Sequence, residues 1–393
     1  MATLFSVPDL SDEDLQVIAE IHGLRASLAD VLRAPRRWTG QLRRTATARA
    51  IQGSNTIEGY SVSDQDAVAA VDDEPPLTAD AATWAEIVGY RRVLTYVLNV
   101  AVEPGFVIDE TALKSMHFML LEHELRKSPG RYRTSDIYVR DADGAAVYEG
   151  PDPDQVPTLM TTLSHTLASP GTDDPLVRAA MAHLNLVMIH PFRDGNGRMA
   201  RALQTMVLAG DRLVEPEFAS IEEWLGHNTR DYYAVLSATG AGSWQPDNDT
   251  GLWIRFNLRA HHMQAQTMRR RIDEAEHQLR LIDALVADSG LNVRLTDALF
   301  DATLGLRVTR PAYVKSTGLD ERTATRDLVK ATDIGFLDAR GERRGRHYVA
   351  GEPLRKIRSS VRSQRKPLDD PFPSLSAQIQ PVNPSRPQIL GDT

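Results

Sequence analysis

The stretch from Leu176 to Ile189 constrains the fold more than any other part of this chain. Its apolar members are Leu176, Val177, Ala179, Ala180, Met181, Leu184, Leu186, Val187, Met188 and Ile189. On a helix these residues cover nearly all sides, which is typical of a helix buried in the centre of a domain. The loop that follows is polar, and polar groups between buried helices are costly unless they have partners. We therefore expect a helical core with a functional polar loop.

The rest of the chain is mostly helical as well. Apolar residues recur at intervals of three and four from Ser11 to Leu32 and again from about Asp80 to Val102, which predicts amphipathic helices. One stretch differs, because Ile137–Val139 and Ala146–Tyr148 flank the turn sequence Asp141–Gly144. That pattern predicts a β-hairpin. The predicted fold class is therefore mainly α with a single hairpin in the central region.

Composition excludes several classes of site. The 393 residues include no cysteine, so thiol nucleophiles, disulfides and Cys-ligated metal sites are excluded. His261–His262 and the pair His117 and His123 lack the spacing or the carboxylate partners of a metal site. The first residues lack the layout of a signal peptide, and no run reaches the roughly 18 apolar residues of a membrane span. We expect a cytoplasmic protein that makes no membrane contact.

Charge divides the chain into unlike parts. The net charge of −8 argues against a protein built wholly to coat nucleic acid. Residues 303–366, however, hold 16 Lys and Arg against 7 Asp and Glu. Predicted helices there precede a short basic hairpin around Arg340, Arg343, Arg344 and Arg346, which favours a winged-helix-like domain. Past Ser363 the chain is rich in Pro, Ser and Gln with few apolar residues, so we predict a disordered tail.

The loop after Ile189 combines residue types that suit a phosphate site. Gly195–Gly197 at a helix start lets successive backbone N–H groups surround an anion. Arg198 and Arg201 lie three apart, on one face of the first turn, and can point at the same phosphates. Asp194 is an oxygen ligand suited to Mg²⁺, and His190 can accept a proton near pH 7. The loop could therefore bind a nucleotide and catalyse its reaction, although no Walker A or GxGxxG sequence is present.

This segment resembles the signature of the Fic family. From His190 to Arg201 the chain reads HPFRDGNGRMAR, which matches HPFx(D/E)GNGRxxR at every specified position. The resemblance implies a Fic-type helical bundle with a hairpin flap, and it extends over roughly residues 38–260. It also implies a protein adenylyltransferase, which moves AMP from ATP to a Ser, Thr or Tyr hydroxyl. Gly197 stands where the kinase-like Doc branch usually has Lys, so the chain looks like the adenylylating branch.

The resemblance assigns a role to each residue of the loop. His190 would be the base that deprotonates the target hydroxyl, and Asp194 would hold Mg²⁺. The residues implied to bind the nucleotide are Asp194, Gly195, Asn196, Gly197, Arg198, Arg201, Tyr232 and Tyr233. The hairpin would be the flap that pairs with a target segment as an added strand. The expected partners are ATP and a target protein, which could be the chain itself.

A second match lies upstream of the loop. Ser54 to Gly59 reads SNTIEG and fits the family's inhibitory motif, (S/T)xxxE(G/N). The resemblance implies that Glu58 pairs with Arg201 and blocks productive ATP binding, while Ser54 helps to fix the inhibitory helix. A carboxylate bidentate to Arg201 would occupy the donors that a γ-phosphate needs. The chain is thus similar to the Fic class inhibited by an N-terminal helix of the same chain.

Four regions and two alternative functions follow from this reading. The regions are an N-terminal helical region at 1–105, a catalytic core at 106–285, a winged-helix-like domain at 286–362 and a tail at 363–393. One alternative is removal of AMP from a modified target, with Glu58 orienting a water. The other is a DNA-binding regulator acting through 290–366. The same domain could equally serve protein contact or dimerisation. The target and the oligomeric state stay open, and a homo-oligomer is compatible with the sequence.

Overall fold

The computed structural model describes residues 3–34, 36–140, 144–169, 171–211, 215–342 and 345–379. They form two compact units. The first comprises Met1–Val31, Ala46–Gln266 and Asp369–Thr393, and the second comprises Leu32–Thr45 and Thr267–Leu368. In chain order the helices are α1 (Asp12–Arg33), α2 (Thr39–Ile57), α3 (Asp64–Val71), α4 (Ala81–Val100), α5 (Glu110–Leu121), α6 (Val156–Ala168), α7 (Pro175–Ile189), α8 (Asn196–Asp211), α9 (Pro216–Ala219), α10 (Glu222–His227), α11 (Thr229–Gly240), α12 (Gly251–Ser289), α13 (Thr296–Leu304), α14 (Arg310–Thr317), α15 (Glu321–Asp333), α16 (Glu352–Ser363) and α17 (Leu375–Gln378).

The mainly helical fold class is confirmed, and α7 lies where its sequence predicts. Nearly every residue of α7 is buried, including Leu184, Leu186 and Ile189, each of which has no exposed surface. α7 packs along α8, and α8 also contacts α4. The loop between α7 and α8 is thus enclosed by the core of the first unit.

Aspartates begin several of these helices. The side chains of Asp80, Asp109, Asp174 and Asp320 accept backbone N–H groups from the first turns of α4, α5, α7 and α15. Such caps satisfy donors that have no partner within a helix. The capping residues explain why helix starts were predicted to within a few residues.

The predicted hairpin is present in the first unit. Strands β1 (Tyr138–Arg140) and β2 (Ala146–Glu149) pair antiparallel, with a register irregularity between Val139 and Arg140. The turn residues 141–143 lie outside the described residues. Tyr148 donates its hydroxyl to the carbonyl of Met188 at 2.7 Å, so the hairpin is attached to the end of α7.

Helix α3 was not predicted. Its N-terminus is capped by Ser63, which accepts the N–H of Asp66. The Asp66 carboxylate is fully buried and accepts the N–H groups of Leu77 at 2.6 Å and Ala79 at 3.1 Å. One buried carboxylate therefore fixes the proline-containing loop that joins α3 to α4. The link spans 13 residues, which hides it from local sequence patterns.

The first unit joins two regions that the sequence separates. The predicted boundary at residue 105 falls between α4 and α5, but these two helices pack together and α4 also packs on α8. The predicted boundary at 285 also differs, since the second unit includes residues from Thr267 onward. α4 buries apolar residues, among them Ile87 and Val93, and packs on both α5 and α8.

The second unit contains three helices followed by a hairpin among its described residues. After α13, α14 and α15, strands β3 (Leu337–Arg340) and β4 (His347–Ala350) pair antiparallel, and Val308 forms an isolated bridge to Tyr348. Arg343 and Arg344, which belong to the basic patch, lie outside the described residues. The element order is the one expected of a winged helix, and that assignment stays a prediction.

Part of the segment expected to be a disordered tail is ordered. In the first unit Phe372, Leu375 and Ile379 are buried, and the Arg259 guanidinium donates to Asp370 at 2.6 Å. Three apolar side chains at intervals of three and four are enough to anchor this segment, and the overall polar composition concealed them. Residues 380–393 lie outside the described residues. Across the described part of the chain, no helix has the length and apolar character needed to span a membrane.

Candidate active site

The loop between α7 and α8 is closed by its own side chains. The Asn196 Oδ1 accepts the N–H of Phe192 at 2.9 Å, and the Asn196 Nδ2 donates to the Phe192 carbonyl at 2.8 Å. Phe192 is fully buried. The Asn196 side chain thus braces the loop, so the predicted nucleotide contact of Asn196 would use its backbone. Its backbone N–H lies in the first turn of α8, where helical N–H groups have no partner within the helix.

His117, on α5, packs against the loop between α7 and α8 and supports it. Its ring stacks on Phe192 with the ring centroids 3.7 Å apart. The N–H of Gly130 donates to Nδ1 at 2.8 Å, so Nε2 carries the proton and donates to the Asp194 carbonyl at 3.0 Å. Burial lowers the pKa of His117 to about 4. No role for His117 could be predicted from the sequence, because its partner Asp194 is 77 residues away.

His190 ends α7 in the left-handed region, with φ of 49°. Its Nδ1 donates to the Val187 carbonyl at 3.0 Å, which leaves the lone pair on Nε2. Nε2 is buried and has no hydrogen-bond partner within the described part of the chain. Burial lowers the pKa of His190 to about 4, so the ring is neutral at pH 7. The site therefore holds an imidazole nitrogen that is free to accept a proton.

Arg133 joins this loop to the hairpin. Its Nε donates to the His190 carbonyl at 2.8 Å, and its backbone N–H donates to the Pro191 carbonyl at 2.9 Å. The guanidinium also donates to the carbonyls of Ser135, before β1, and Pro151, after β2. Arg133 is only 3% exposed. A single arginine in a loop has no distinctive sequence pattern, and its importance is visible only from the five backbone carbonyls that accept its hydrogen bonds.

One carboxylate oxygen of Asp194 accepts a backbone hydrogen bond, and the other faces a cation. Its Oδ1 accepts the N–H of Gly195 at 2.6 Å, and its Oδ2 lies 2.5 Å from the Nζ of Lys127, which ends the short 3-10 turn Leu125–Lys127. Burial would raise the pKa of Asp194, but the charges of Arg198 and Lys127 outweigh it and hold the pKa below its usual value. Asp194 is therefore an ionised carboxylate that already binds a positive group.

The donor set around Asp194 suits a cation carried by a nucleotide. Among the described residues, no group of three or more His, Asp or Glu side chains could hold a metal ion. Mg²⁺ is commonly held by one or two carboxylates together with substrate phosphates. Asp194, beside the first turn of α8, fits that arrangement.

Arg198 is buried and paired with a carboxylate from α4. The guanidinium is 1% exposed, and its Nη1 forms an ion pair with the Oε2 of Glu86. The Arg198 guanidinium also lies 5.6 Å from the ring centroid of Tyr60. Burial alone would lower the pKa of Arg198, but Glu86 and Asp194 raise it above its ordinary value. Glu86 was not found from the sequence, because an acid inside a helix resembles an ordinary surface residue.

Arg201 is paired with the predicted inhibitory residues. Its Nε donates to the Ser54 hydroxyl at 2.8 Å, and its Nη2 donates to the Ser54 carbonyl at 3.0 Å and to the Glu58 Oε1 at 2.5 Å. Only one carboxylate oxygen contacts the guanidinium, so the pair is not the bidentate one that was expected. Nη1 of Arg201 is buried and has no partner among the described residues.

Gly197 explains how closely Glu58 approaches the loop. A Cβ at position 197 would lie 2.5 Å from the Glu58 Oε1 and 3.1 Å from the Arg201 Nη1. Both distances are shorter than ordinary carbon–oxygen or carbon–nitrogen contacts. The Glu58 carboxylate therefore lies directly against the first turn of α8, where an anion would bind. Gly195 has a φ of 76°, a conformation that glycine adopts readily.

The two tyrosines of α11 have different surroundings. Tyr232 is 1% exposed and its hydroxyl lies 2.9 Å from the Nε2 of His183. Its contact with the nucleotide stays a prediction. Tyr233 is half-buried and donates its hydroxyl to the Ile57 carbonyl at 3.1 Å. Tyr233 therefore contacts the end of α2, next to Glu58.

Helix α2 docks on α10 through two glycines. A Cβ on Gly53 would lie 2.3 Å from the Glu222 carbonyl oxygen, and a Cβ on Gly226 would lie 2.7 Å from the Gly53 Cα. Neither position can carry a side chain without moving a helix. The buried Glu222 carboxyl accepts the Tyr90 hydroxyl at 2.6 Å, and burial raises the pKa of Glu222 to about 7. The close backbone approach places Ser54 and Glu58 at Arg201.

Comparisons with known proteins agree with this geometry. Residues 107–208 match the Fic/DOC family. A protein adenylyltransferase Fic of Nematostella vectensis is 30% identical over 178 residues, which cover 44% of this chain and 37% of the relative. A protein adenylyltransferase fic-1 of Caenorhabditis elegans is 32% identical over 133 residues, covering 33% of this chain and 24% of the relative. The chain thus spans well under half the length of these curated relatives.

A solved structure shows the same fold. A Fic family protein from Desulfovibrio desulfuricans G20 superposes with a TM-score of 0.56 at 22% identity, covering 88% of this chain and 99% of that chain. At this identity the likeness concerns the fold alone.

Proposed function

We propose that the chain is a Fic family protein and an adenylyltransferase that moves AMP from ATP to a Ser, Thr or Tyr hydroxyl of a target protein or of itself. The observation that carries the proposal is the buried, unpartnered Nε2 of His190 beside the first turn of α8. A proton acceptor and an anion site next to each other are what transfer of a nucleotidyl group to a hydroxyl requires.

His190 would act as the base. Its Nδ1 proton is committed to the Val187 carbonyl, so only Nε2 can accept the proton of the target hydroxyl. The hydroxyl oxygen then forms a bond to the α-phosphorus, and the bond from that phosphorus to the bridging oxygen of the β-phosphate breaks. Pyrophosphate leaves with the electron pair of the broken bond. Arg133 holds the His190 carbonyl and so fixes where the ring points.

The first turn of α8 and the two arginines would hold the phosphates. Backbone N–H groups at Asn196 and Gly197 and the positive end of the helix dipole favour an anion there. Arg198 and Arg201 follow in the same turn, and each carries a buried nitrogen without a partner among the described residues, Nε of Arg198 and Nη1 of Arg201. Asp194 would hold Mg²⁺, which offsets negative charge on the phosphates when bound.

The hairpin would align the target. In the described residues β1 pairs with β2 and with no other strand, so the other edge of β1 can accept an extended segment by backbone hydrogen bonds. Arg133 connects the residues before β1 and after β2 to the carbonyl of His190. A target segment added to β1 would therefore be positioned relative to the base.

Glu58 would inhibit the reaction. Its Oε1 lies between the Arg201 Nη2 and Gly197, where it takes a donor and the space that phosphate oxygens need. Negative charge at this point also repels an incoming polyphosphate. Inhibition would be relieved whenever the end of α2 moves away from Arg201.

The experiment compares ATP labelled on the α-phosphate with ATP labelled on the γ-phosphate, using Glu58→Gly protein and Mg²⁺. We expect the α-label on the protein or on a partner from a lysate, and no γ-label, because AMP and not phosphate is transferred. Retention of the γ-label alone would replace this proposal with phosphoryl transfer.

Two variants in the Glu58→Gly background serve as controls. His190→Ala should abolish labelling, and labelling that persists in this variant would refute the assignment of the base. His227→Ala is the matched control, because the exposed His227 also bonds through Nδ1 to a backbone carbonyl, that of Glu223 at 2.9 Å. It should label like its parent.

A further inference from the structure

Lys127 lies between two carboxylates of the candidate site. Its Nζ is 2.5 Å from the Oδ2 of Asp194 and 3.3 Å from the Oε1 of Glu86. The side chain is 31% exposed, whereas the side chain of Glu86 is 7% exposed. A lysine placed this way is partly buried among negative groups, and it did not stand out in the sequence.

The contact with Asp194 uses the oxygen that a metal ion would need. The Oδ1 of Asp194 is engaged by the Gly195 N–H at 2.6 Å. That leaves Oδ2 as the oxygen directed to a cation, and the ammonium of Lys127 occupies it. A divalent cation and Lys127 cannot both lie within bonding distance of this one oxygen without strong mutual repulsion.

Glu86 offers Lys127 a second place to bind. Its Oε2 pairs with Arg198, and its Oε1 faces both Lys127 and the Nε2 of His123, the latter at 3.2 Å. If Lys127 leaves Asp194, it still has a carboxylate oxygen within reach. The ammonium therefore has two arrangements that differ by a small movement.

We propose that Lys127 is a positioning residue that serves as the counter-cation of Asp194. Lys127 must release the Asp194 carboxylate before a divalent cation binds there. Glu86 then holds the released ammonium group of Lys127. The proposal rests on the proposed function in one respect, namely that the cation arrives with a nucleotide. Without nucleotide, Lys127 holds the Oδ2 of Asp194 in place. With nucleotide, the competition of Lys127 for Asp194 lowers the contribution of Mg²⁺ to binding.

The test measures how strongly Mg²⁺ enhances nucleotide binding. Calorimetry with α,β-methylene-ATP, which cannot release pyrophosphate, gives the affinity with Mg²⁺ and with EDTA for the full-length protein and for Lys127→Met. A contact of Lys127 to phosphate that does not depend on the metal changes both affinities by the same factor. It therefore has no effect on their ratio. We expect the ratio to rise by about fivefold or more in Lys127→Met, the low end of typical coupling between two ligands.

Three outcomes would overturn the proposal. An unchanged or smaller ratio in Lys127→Met shows that Lys127 does not compete with the metal. Equal loss of affinity with and without Mg²⁺ identifies Lys127 as a phosphate ligand instead. A parallel titration with Mn²⁺ alone, followed by electron paramagnetic resonance, should show tighter binding in Lys127→Met, and equal or weaker binding would likewise contradict the proposal.

Lys114→Met is the matched control. Lys114 is similarly exposed, but it pairs with Glu110 at 3.3 Å and lies over the ring of Tyr132. The ratio should stay at the wild-type value, and an equal rise there would attribute the effect to net charge and overturn the proposal. Glu58→Gly protein that binds the analogue but transfers no AMP from ATP would refute the proposed function and leave this comparison readable.

Discussion

The surroundings of Arg198 and Arg201 are alike in composition and differ in arrangement. Both guanidinium groups are buried, and each pairs with a glutamate from an N-terminal helix. Glu86 is in the second turn of α4 and faces Arg198, Lys127 and His123. Glu58 follows the last residue of α2 and contacts Arg201 against Gly197.

The difference indicates that one type of ion pair can either support a site or form a contact that can be released. Glu86 is surrounded by basic groups and lies on the buried side of the loop, so it supports Arg198. Glu58 lies against the first turn of α8 at a helix end, next to the exposed Gly59, so it can withdraw. Its removal should release a donor on Arg201, and it should cost less stability than removal of Glu86, because Arg201 keeps two contacts to Ser54. Removal of Glu86 should damage the site.

The largest effect should come from Glu86→Gln. This change leaves the buried charge of Arg198 without its ion-pair partner, and we expect the free energy of unfolding to fall by about 3–5 kcal/mol. Urea unfolding followed by circular dichroism measures it. Glu58→Gln should cost less, because Arg201 keeps two contacts to Ser54. Equal losses in the two variants would remove the distinction between the two glutamates.

Acid should lower the free energy of unfolding through protonation of His117, which supports the loop that contains Arg198. Burial lowers the pKa of His117 to about 4, whereas an unfolded histidine has a pKa of about 6.5. Between these values only the unfolded chain binds the proton, so the free energy of unfolding falls as the pH falls. The slope from this group is about 1.4 kcal/mol per pH unit. Unfolding titrations between pH 6.5 and 5 should show a smaller slope in His117→Gln, and an unchanged slope would contradict this account.

The docking of α2 can be changed without touching either arginine. In Gly226→Ala the new methyl group would meet the Gly53 Cα at 2.7 Å. We expect a loss of about 1–3 kcal/mol from overpacking and a higher rate of AMP transfer, because α2 must shift. Gly23→Ala on α1 is the control, since nothing lies within 4 Å of the added carbon. If Gly226→Ala is less stable but transfers AMP at an unchanged rate, the contact between α2 and α10 does not contribute to inhibition.

A smaller effect is expected at Tyr233. Tyr233→Phe removes the hydrogen bond to the Ile57 carbonyl, which is worth about 0.5–1.5 kcal/mol. The end of α2 should loosen, and the initial rate of transfer should rise modestly. Tyr313→Phe also loses a hydrogen bond, to the Oδ2 of Asp327 at 3.1 Å in the second unit, and should lower stability without raising the rate. A rate increase in both variants would argue against a specific role of the α2 end.

The sequence predicted those parts of the site that are contiguous or belong to a recognisable motif. The loop from His190 to Arg201 could be found because its chemistry lies within one segment, and Ser54 and Glu58 could be found through the inhibitory motif. Their role as an inhibitory pair stays a prediction, although the contact with Arg201 is present.

The residues that sequence reasoning missed come from other elements. Glu86, Lys127, Arg133 and His117 lie on α4, α5 or the loops beyond α5, and each reaches the site by tertiary packing. The adjacent Tyr232 and Tyr233 could not be distinguished from the sequence, because their positions do not reveal which of the two side chains points into the core.

The central claim is that Glu58 restrains an otherwise competent AMP transferase, and the initial rate of α-label transfer in Glu58→Gln tests it most directly. Glutamine keeps the shape of the side chain and removes its charge, so any gain reports on the Arg201 pair itself. We expect a rate at least about tenfold above wild type, equivalent to about 1.4 kcal/mol. A rate equal to or below that of wild type, in a variant that remains folded, would contradict the account.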